Sequence, residues 1–193
     1  MDIVVKNLSK SFDGNTVFSN FSISFKSPGV TCVMGPSGCG KTTLLNILIG
    51  FIQKDSGEIS DIPAKKSAVF QEDRLCESFN AVSNVRLVCK KNISNDEIRQ
   101  NLGEIGLSES LDRPVSELSG GMRRRVAIVR AVLADADIIF MDEPFKGLDD
   151  TTKAGVIEYV LCKTRGKTVI IVTHSMDEAR ALGGDIISFP EGD

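Results

Sequence analysis

The run Gly35-Pro36-Ser37-Gly38-Cys39-Gly40-Lys41-Thr42, followed by Thr43, has the spacing G-x-x-x-x-G-K-[ST]. Those residue types suit a polyphosphate. Glycines let successive backbone N–H groups turn inward around phosphate oxygens. A helix opening near Lys41 aims the positive end of its dipole at the same anion. Lys41 is placed to reach the β- and γ-phosphates, and the Thr42 hydroxyl to hold Mg²⁺. The context is what the motif requires. A short apolar strand over 30–34 precedes it, and the helical pattern Leu44, Leu45, Ile47, Leu48 follows, closed by Gly50.

A second constellation is Ile138-Ile139-Phe140-Met141-Asp142-Glu143-Pro144. The apolar residues bury a strand and deliver two carboxylates at its C-terminal end, where parallel sheets bind ligands. Asp142 would hold Mg²⁺, directly or through water. Glu143, one residue on, would stand beside an attacking water. Alone, the pair reads as a strand cap with two solvated acids; beside a phosphate loop it reads as chemistry. Together the two motifs describe a P-loop nucleoside triphosphatase. They do not choose among GTPases, small-molecule kinases, helicases and transport ATPases.

The surrounding pattern can position such a site. Phe21-Ser22-Ile23-Ser24-Phe25 alternates as a half-buried strand. Apolar strands are expected over 67–70, 137–141, 168–173 and 185–189. A helix is expected over 152–163, and a short one after Ser175-x-x-Glu178. Ser94-x-x-Glu97 caps a helix carrying Ile98, Leu102 and Ile105. Met122, Val126, Val129 and Leu133 form the stripe of another. Buried strands alternating with helices imply an α/β fold with a mainly parallel core sheet. The helical stretch over 72–134 interrupts that alternation and reads as an inserted subdomain.

Composition narrows the setting. With 193 residues, 41% hydrophobic and 25% charged, the chain fills one domain and is not largely disordered. The most apolar stretch, 44–52, is broken by Asn46 and Gly50 and is too short to cross a bilayer. The N-terminus lacks a signal-peptide pattern, so a role at a membrane would run through a partner. Lys plus Arg number 23 against 26 Asp plus Glu, which disfavours nucleic acid as a partner. The one compact basic cluster, Arg123-Arg124-Arg125, is either a solvated face or a helix start facing phosphate. Five cysteines without a Cys-x-x-Cys pair fit reduced thiols in the cytosol. A single histidine, His174, rules out a His-rich metal site.

Leu118-Ser119-Gly120-Gly121-Met122 resembles the signature motif of ATP-binding cassette (ABC) proteins, usually Leu-Ser-Gly-Gly-Gln. In isolation it would be a plain helix cap. It is not isolated. Gln71 stands where that family has its Q-loop glutamine, and Gly147-Leu148-Asp149 matches its D-loop. His174 matches its switch histidine, and Phe12 its aromatic A-loop position. Singly, Gln71, Phe12, Asp149 and His174 could be a surface amide, a core ring, a turn residue and a strand end. In this order, from Phe12 to His174, the resemblance covers nearly the whole chain.

The resemblance implies a P-loop NTPase core with an antiparallel N-terminal β subdomain and an inserted α-helical subdomain. It divides one ABC ATPase domain, 1–193, into a nucleotide-binding core (1–71 and 135–193) and a helical part (72–134). It implies ATP and Mg²⁺ as cofactors, and a homodimer formed on ATP binding. In that dimer Ser119, Gly120 and Gly121 of one subunit complete the other's site. Glu143 would accept a proton from water, His174 would bond the γ-phosphate, and Gln71 would sense Mg²⁺ and the γ-phosphate. Phe12 would stack on adenine, and Asp149 would lie near the nucleotide.

Within the family, the Gln71-Glu72-Asp73-Arg74-Leu75 and Asp142-Glu143-Pro144-Phe145 runs resemble nitrate, sulfonate or taurine-type importer ATPases. This implies membrane permease subunits docking near the Q-loop and helical subdomain, and a solute-binding protein in the full complex. It places the chain in the cytoplasm, peripheral on the cytoplasmic face of the cell membrane. Met122 departs from the usual Gln and removes a polar contact. No regulatory domain is expected. The competing reading is a soluble ABC-class ATPase acting on nucleic acid or the ribosome. Against it, the segment from Gln71 to Leu118 is short and lacks sustained heptads.

Overall fold

Strands β3 (Gly29–Met34), β5 (Lys66–Val69), β6 (Ile138–Asp142), β7 (Thr168–Val172) and β8 (Asp185–Ser188) form one sheet in the computed structural model, which describes residues 1–189. Every pairing in this sheet is parallel, and the order is β5-β6-β7-β3-β8. All five residues of β6 and all five of β7 are buried. That is why both read as continuous apolar runs rather than alternating ones: helices cover both faces of the sheet. β7 lies between β3 and β6, with Val172 in register with Val33 on one side and Asp142 on the other. The phosphate loop after β3, the acids Asp142 and Glu143 at the end of β6 and His174 after β7 therefore emerge at one end of the sheet.

A second sheet, antiparallel and in the order β2-β1-β4, comprises β1 (Ile3–Phe12), β2 (Asn15–Phe25) and β4 (Ser56–Ser60). The alternation at 21–25 is the end of β2. β1 carries less of that pattern because its register shifts three times against β2, and each shift breaks a period-2 reading.

Six α-helices lie among the described residues: α1 (Lys41–Ile49), α2 (Ala81–Arg86), α3 (Asn95–Glu104), α4 (Gly120–Leu133), α5 (Asp150–Lys163) and α6 (Met176–Leu182). Their ends follow the local chemistry. Ser94, Ser119, Asp149 and Ser175 each accept a bond from a backbone N–H in the first turn of α3, α4, α5 and α6. Gly50 ends α1 in the left-handed region, its N–H reaching the carbonyls of Asn46 and Ile47. α2, with six residues, is too short to display a helical period in sequence. No helix among the described residues is long and apolar enough to cross a membrane.

The core falls into two apolar clusters. One packs α1 and the antiparallel sheet, through Ile3, Leu8, Phe18 and Phe25, against β3, β6 and β7. The other runs without a break from Ile98 and Leu102 of α3, through Val126 and Val129 of α4, to Val69, Ile139 and Met141 of the sheet. α4 thus belongs to the inserted helices and to the covering of the sheet at once.

Candidate nucleotide site

The phosphate loop turns on glycines in conformations that side chains resist. Gly35, Gly38 and Gly40 all have positive φ. At Gly40, with φ +95°, a Cβ would also lie 2.7 Å from Val17 and 2.8 Å from the Phe18 ring. Lys41 is 6% exposed. Its ammonium donates to the carbonyls of Gly35 (2.9 Å) and Pro36 (2.6 Å) and approaches Cys39 Sγ at 3.5 Å. The loop therefore wraps a buried cation at the start of α1.

Thr42 Oγ1 donates to Asp142 Oδ2 at 2.7 Å, across a hundred residues of sequence. Burial pushes the Asp142 carboxyl above the usual range, against the hydrogen bond from Thr42. A buried carboxylate paired with a hydroxyl is an oxygen donor set of the kind that suits a hard cation.

Glu143 follows in the left-handed region, φ 47°, uncommon for a non-glycine residue. Its N–H donates to Val172 O at 2.9 Å, and Lys146 N returns to its carbonyl at 3.2 Å. The side chain is divided between two partners: Oε1 lies 2.9 Å from His174 Nε2, and Oε2 lies 2.9 Å from Lys146 Nζ. Burial alone would raise this carboxyl, but Lys146 and His174 outweigh it and hold it below its ordinary value. Glu143 is thus kept ionised.

These groups surround one cavity of about 330 Å³. Ser37, Gly38, Gly40, Lys41, Thr42 and Thr43 line it from the loop, Gln71 from the end of β5, and Asp142, Glu143 and His174 from β6 and β7. Gly35, Pro36 and Cys39 contribute from behind, through Lys41. Val17 and Val172 also line the cavity. Sequence reasoning missed both, and a lone valine gives no signal of such a place. It missed Lys146 too.

Phe12, Asp149 and the signature residues are not among the lining groups. Phe12, 41% exposed, has Lys10 Nζ 4.9 Å from its ring centroid. Ser119 and Gly120 are exposed, with Ser119 Oγ capping α4 through Met122 N. Gly121 sits against the D-loop, where an added Cβ would meet Leu148 at 3.4 Å. Asp149 caps α5 through Thr152 N at 3.0 Å. The Met122 side chain packs on the apolar cluster. Arg124 and Arg125 follow neither reading of the basic run. Both guanidiniums turn to backbone carbonyls, those of Phe70 and Gln71 for Arg124 and those of Ile105, Gly106 and Gly121 for Arg125.

Comparison with known proteins agrees with this geometry. The family described as ABC transporter matches residues 18–146. The taurine import ATP-binding protein TauB of Roseobacter denitrificans is 38% identical over 202 residues, covering 95% of this chain and 75% of that protein. The aliphatic sulfonates import ATP-binding protein SsuB 1 of Pseudomonas savastanoi pv. phaseolicola is 34% identical over 180 residues, covering 92% and 76%. Among solved structures, the dimeric bacterial ABC transporter cassette MJ0796 superposes with a TM-score of 0.84 at 29% identity, covering 97% of this chain and 94% of that one. The same cassette in a dimeric post-hydrolysis state bound to ADP and Pi gives 0.84 at 27% identity. With its phosphate loop, paired acids and histidine gathered at one end of a parallel sheet, the chain belongs to the ABC transporter family and is an ATP-hydrolysing cassette of it.

Proposed function

We propose that this ATPase drives an importer of small sulfonate-like anions and works as a head-to-tail homodimer closed by two ATP. The observation that carries the catalytic part is the convergence of Lys41, Thr42, Asp142, Glu143 and His174 on one cavity. Taurine and sulfonate import relatives support the solute class, and the dimeric cassettes support the assembly.

The residues present fit ATP with a divalent ion. Lys41 and the loop N–H groups would cradle the phosphates, and Phe12 would stack on the adenine. Thr42 and Asp142, already joined, would hold Mg²⁺ with Gln71 nearby. Among the described residues no three His, Cys, Asp or Glu side chains gather as a metal site, so phosphate oxygens and water would supply the remaining ligands. When bound, the ion neutralises charge that develops on the phosphates. Glu143, held ionised, would accept a proton from water as the water attacks the γ-phosphorus and the bond to the β–γ bridging oxygen breaks, leaving ADP and phosphate. His174 releases the Glu143 oxygen and hydrogen-bonds the γ-phosphate, keeping the attack in line. Ser119 and the Gly120 and Gly121 N–H groups would form a second anion cradle outside this cavity, with Ser119 and Gly120 exposed and Gly121 half-buried. In the dimer they would close on the partner's ATP, with Asp149 of the D-loop alongside.

Residues 72–134 would act as the helical subdomain that receives a permease. A cavity of about 350 Å³ lined by Gln71, Glu72, Arg74, Leu75, Val115 and Arg123 borders the Q-loop. It is of a kind to take a short helix of a membrane-embedded partner. The cassette would then sit on the cytoplasmic face of the membrane, with a solute-binding protein on the other side. The test is purification from native membranes. Co-purification with a multi-spanning permease, and ATPase activity stimulated by a sulfonate-loaded binding protein, are expected. Recovery with RNA or DNA and no permease would overturn the transport reading.

A further inference from the structure

We propose that Arg124 is a positioning residue that locks the signature end of α4 to the Q-loop, so that Gln71 and Ser119 move as one body. The inference rests on the proposed role of Gln71 at the Mg²⁺–nucleotide and adds the group that sets its place.

Arg124 lies five residues beyond Ser119, on the helix that Ser119 caps. Its side chain is buried, with 8% of the residue exposed. The two terminal nitrogens donate to consecutive carbonyls, Phe70 O at 2.6 Å and Gln71 O at 2.5 Å. Nε lies 3.2 Å from Asp73 Oδ1. Two hydrogen bonds from one planar cation thus fix two consecutive carbonyls, and its charge pairs with Asp73 two residues on without a hydrogen bond to Oδ1. Such forked, charge-assisted bonds are short and directional, and they resist shear as well as separation.

Arg130, farther along the same helix, takes the next carbonyls, Asp73 O at 2.9 Å and Arg74 O at 2.8 Å. The loop leaving β5 therefore has its carbonyls at 70, 71, 73 and 74 bonded to one helix. Of the two arginines, Arg124 is the one that holds the Gln71 carbonyl. From Arg124 to Ser119 the path is α-helix, about 1.5 Å per residue and stiff over so short a length. A shift of Gln71 toward a bound ion is then a shift of the signature cradle. The cradle serves the other nucleotide of a head-to-tail dimer, so Arg124 would connect the two ATP sites through one chain.

The test compares MgATP hydrolysis by Arg124→Gln, Arg124→Lys, Arg130→Gln, Gln71→Ala and the double variant Arg124→Gln/Gln71→Ala, all in the full chain. Arg124→Gln should lose about tenfold in kcat with KM for ATP within about twofold, because the phosphate loop is untouched. Its half-saturating Mg²⁺ should rise about threefold, as for Gln71→Ala. Arg124→Lys keeps the charge beside Asp73 and guards against simple misfolding. It should not rescue turnover, since one ammonium cannot span two carbonyls in a plane. Arg130→Gln should change kcat less than threefold or so, while lowering the melting temperature. The double variant should be no slower than Gln71→Ala alone, because both changes act at one point. Normal turnover in Arg124→Gln would overturn the proposal. So would losses that multiply in the double variant, which would leave Arg124 a loop-folding residue only. Normal turnover and Mg²⁺ dependence in Gln71→Ala would instead remove the proposed role of Gln71, and the inference with it.

Discussion

His174 Nε2 lies 2.9 Å from Glu143 Oε1. The pair joins the end of β7 to the end of β6, and Lys146 occupies the other carboxylate oxygen. The two partners are not equivalent. The Lys146 side chain is 64% exposed and comes from the same turn as Glu143, so solvent screens it and its loss costs at most about 1 kcal/mol. His174 comes from a different strand and lines the cavity. His174→Ala is expected to reduce kcat by about a hundredfold or more, and Lys146→Met by less than about fivefold. Steady-state ATPase assays of the two variants check the contrast; equal losses would mean that His174 only holds the Glu143 side chain in place.

Glu143 itself separates binding from turnover. Its carboxylate contacts His174 and Lys146 but not the phosphate loop. Glu143→Gln should therefore retain ATP affinity while losing hydrolysis by about a hundredfold to ten-thousandfold. With the bridging phosphate no longer cleaved, the variant should accumulate as a dimer in MgATP, visible by size-exclusion chromatography. Turnover at the normal rate would remove Glu143 as the base.

How the site could be read from sequence depends on what kind of fact each part is. The phosphate loop was legible because its glycines and Lys41 are bound by local conformation, which a short spacing records. The caps at Ser94 and Ser175 were legible for the same reason. The division of the fold into a parallel sheet and inserted helices followed from run lengths and caps. The bond from Thr42 to Asp142 is a different case, because it depends on β7 being threaded between β3 and β6. No periodicity states that order. The arginines after the signature were misjudged for a related reason. Their charge suggested solvent or phosphate, whereas Arg124 and Arg125 satisfy carbonyls of loops distant in sequence. A buried guanidinium whose hydrogen bonds all go to backbone carbonyls leaves no partner residue type to look for, and the one acid that Arg124 pairs with, Asp73, lies 51 positions away. β1 and α2 were hidden by geometry, one by shifts of register and the other by its six-residue length.

Gly40 makes the phosphate loop a turn that resists substitution. Its φ of +95° already strains any L side chain, and a methyl there would strike Val17 and Phe18 from the antiparallel sheet. Gly40→Ala should cost more than about 1 kcal/mol in stability. It should also weaken ATP binding at least tenfold or so by displacing Lys41 and the loop N–H groups. Nucleotide titration and thermal melts read the two effects. Gly38 has a positive φ but open space around it, so Gly38→Ala should be the milder change.

Tyr159 offers a stability test away from the nucleotide. Its hydroxyl donates to Asn101 Oδ1 at 3.0 Å, while Asn101 Nδ2 donates to Glu97 O at 2.8 Å. The first bond ties α5 to α3, and the pair Lys163–Glu104 at 2.9 Å runs beside it. Burial drives the Tyr159 phenol well above its ordinary range, so it stays a neutral donor. Tyr159→Phe leaves a buried amide oxygen without a partner and should cost about 1–3 kcal/mol. Lys163→Ala should cost less than about 1 kcal/mol, since that pair is partly exposed. Denaturant unfolding distinguishes the two. ATP affinity should be unchanged in both.

Cys39 places a nucleophile inside the phosphate loop. Its sulfur lies 3.5 Å from Lys41 Nζ and would be 3.1 Å from a Cβ at Gly35, so there is little room for an added group. Of the remaining cysteines, Cys32 is buried, and burial raises its thiol to about 11. Cys89 is also raised, mainly by burial. Cys76 and Cys162 are exposed and lie away from the cavity lining. A maleimide on Cys39 would press on Lys41 and on the loop that bonds it, which predicts loss of ATP binding with the fold intact. MgATP added first should shield the thiol, because the phosphates would occupy the cavity the reagent must enter. Mass spectrometry of the labelled sites, with and without nucleotide, reads this directly. Protection should appear at Cys39 and not at Cys76 or Cys162, and Cys39→Ser should bind ATP and resist inactivation. Labelling of Cys39 that proceeds at the same rate in saturating MgATP would place the nucleotide elsewhere than on this loop.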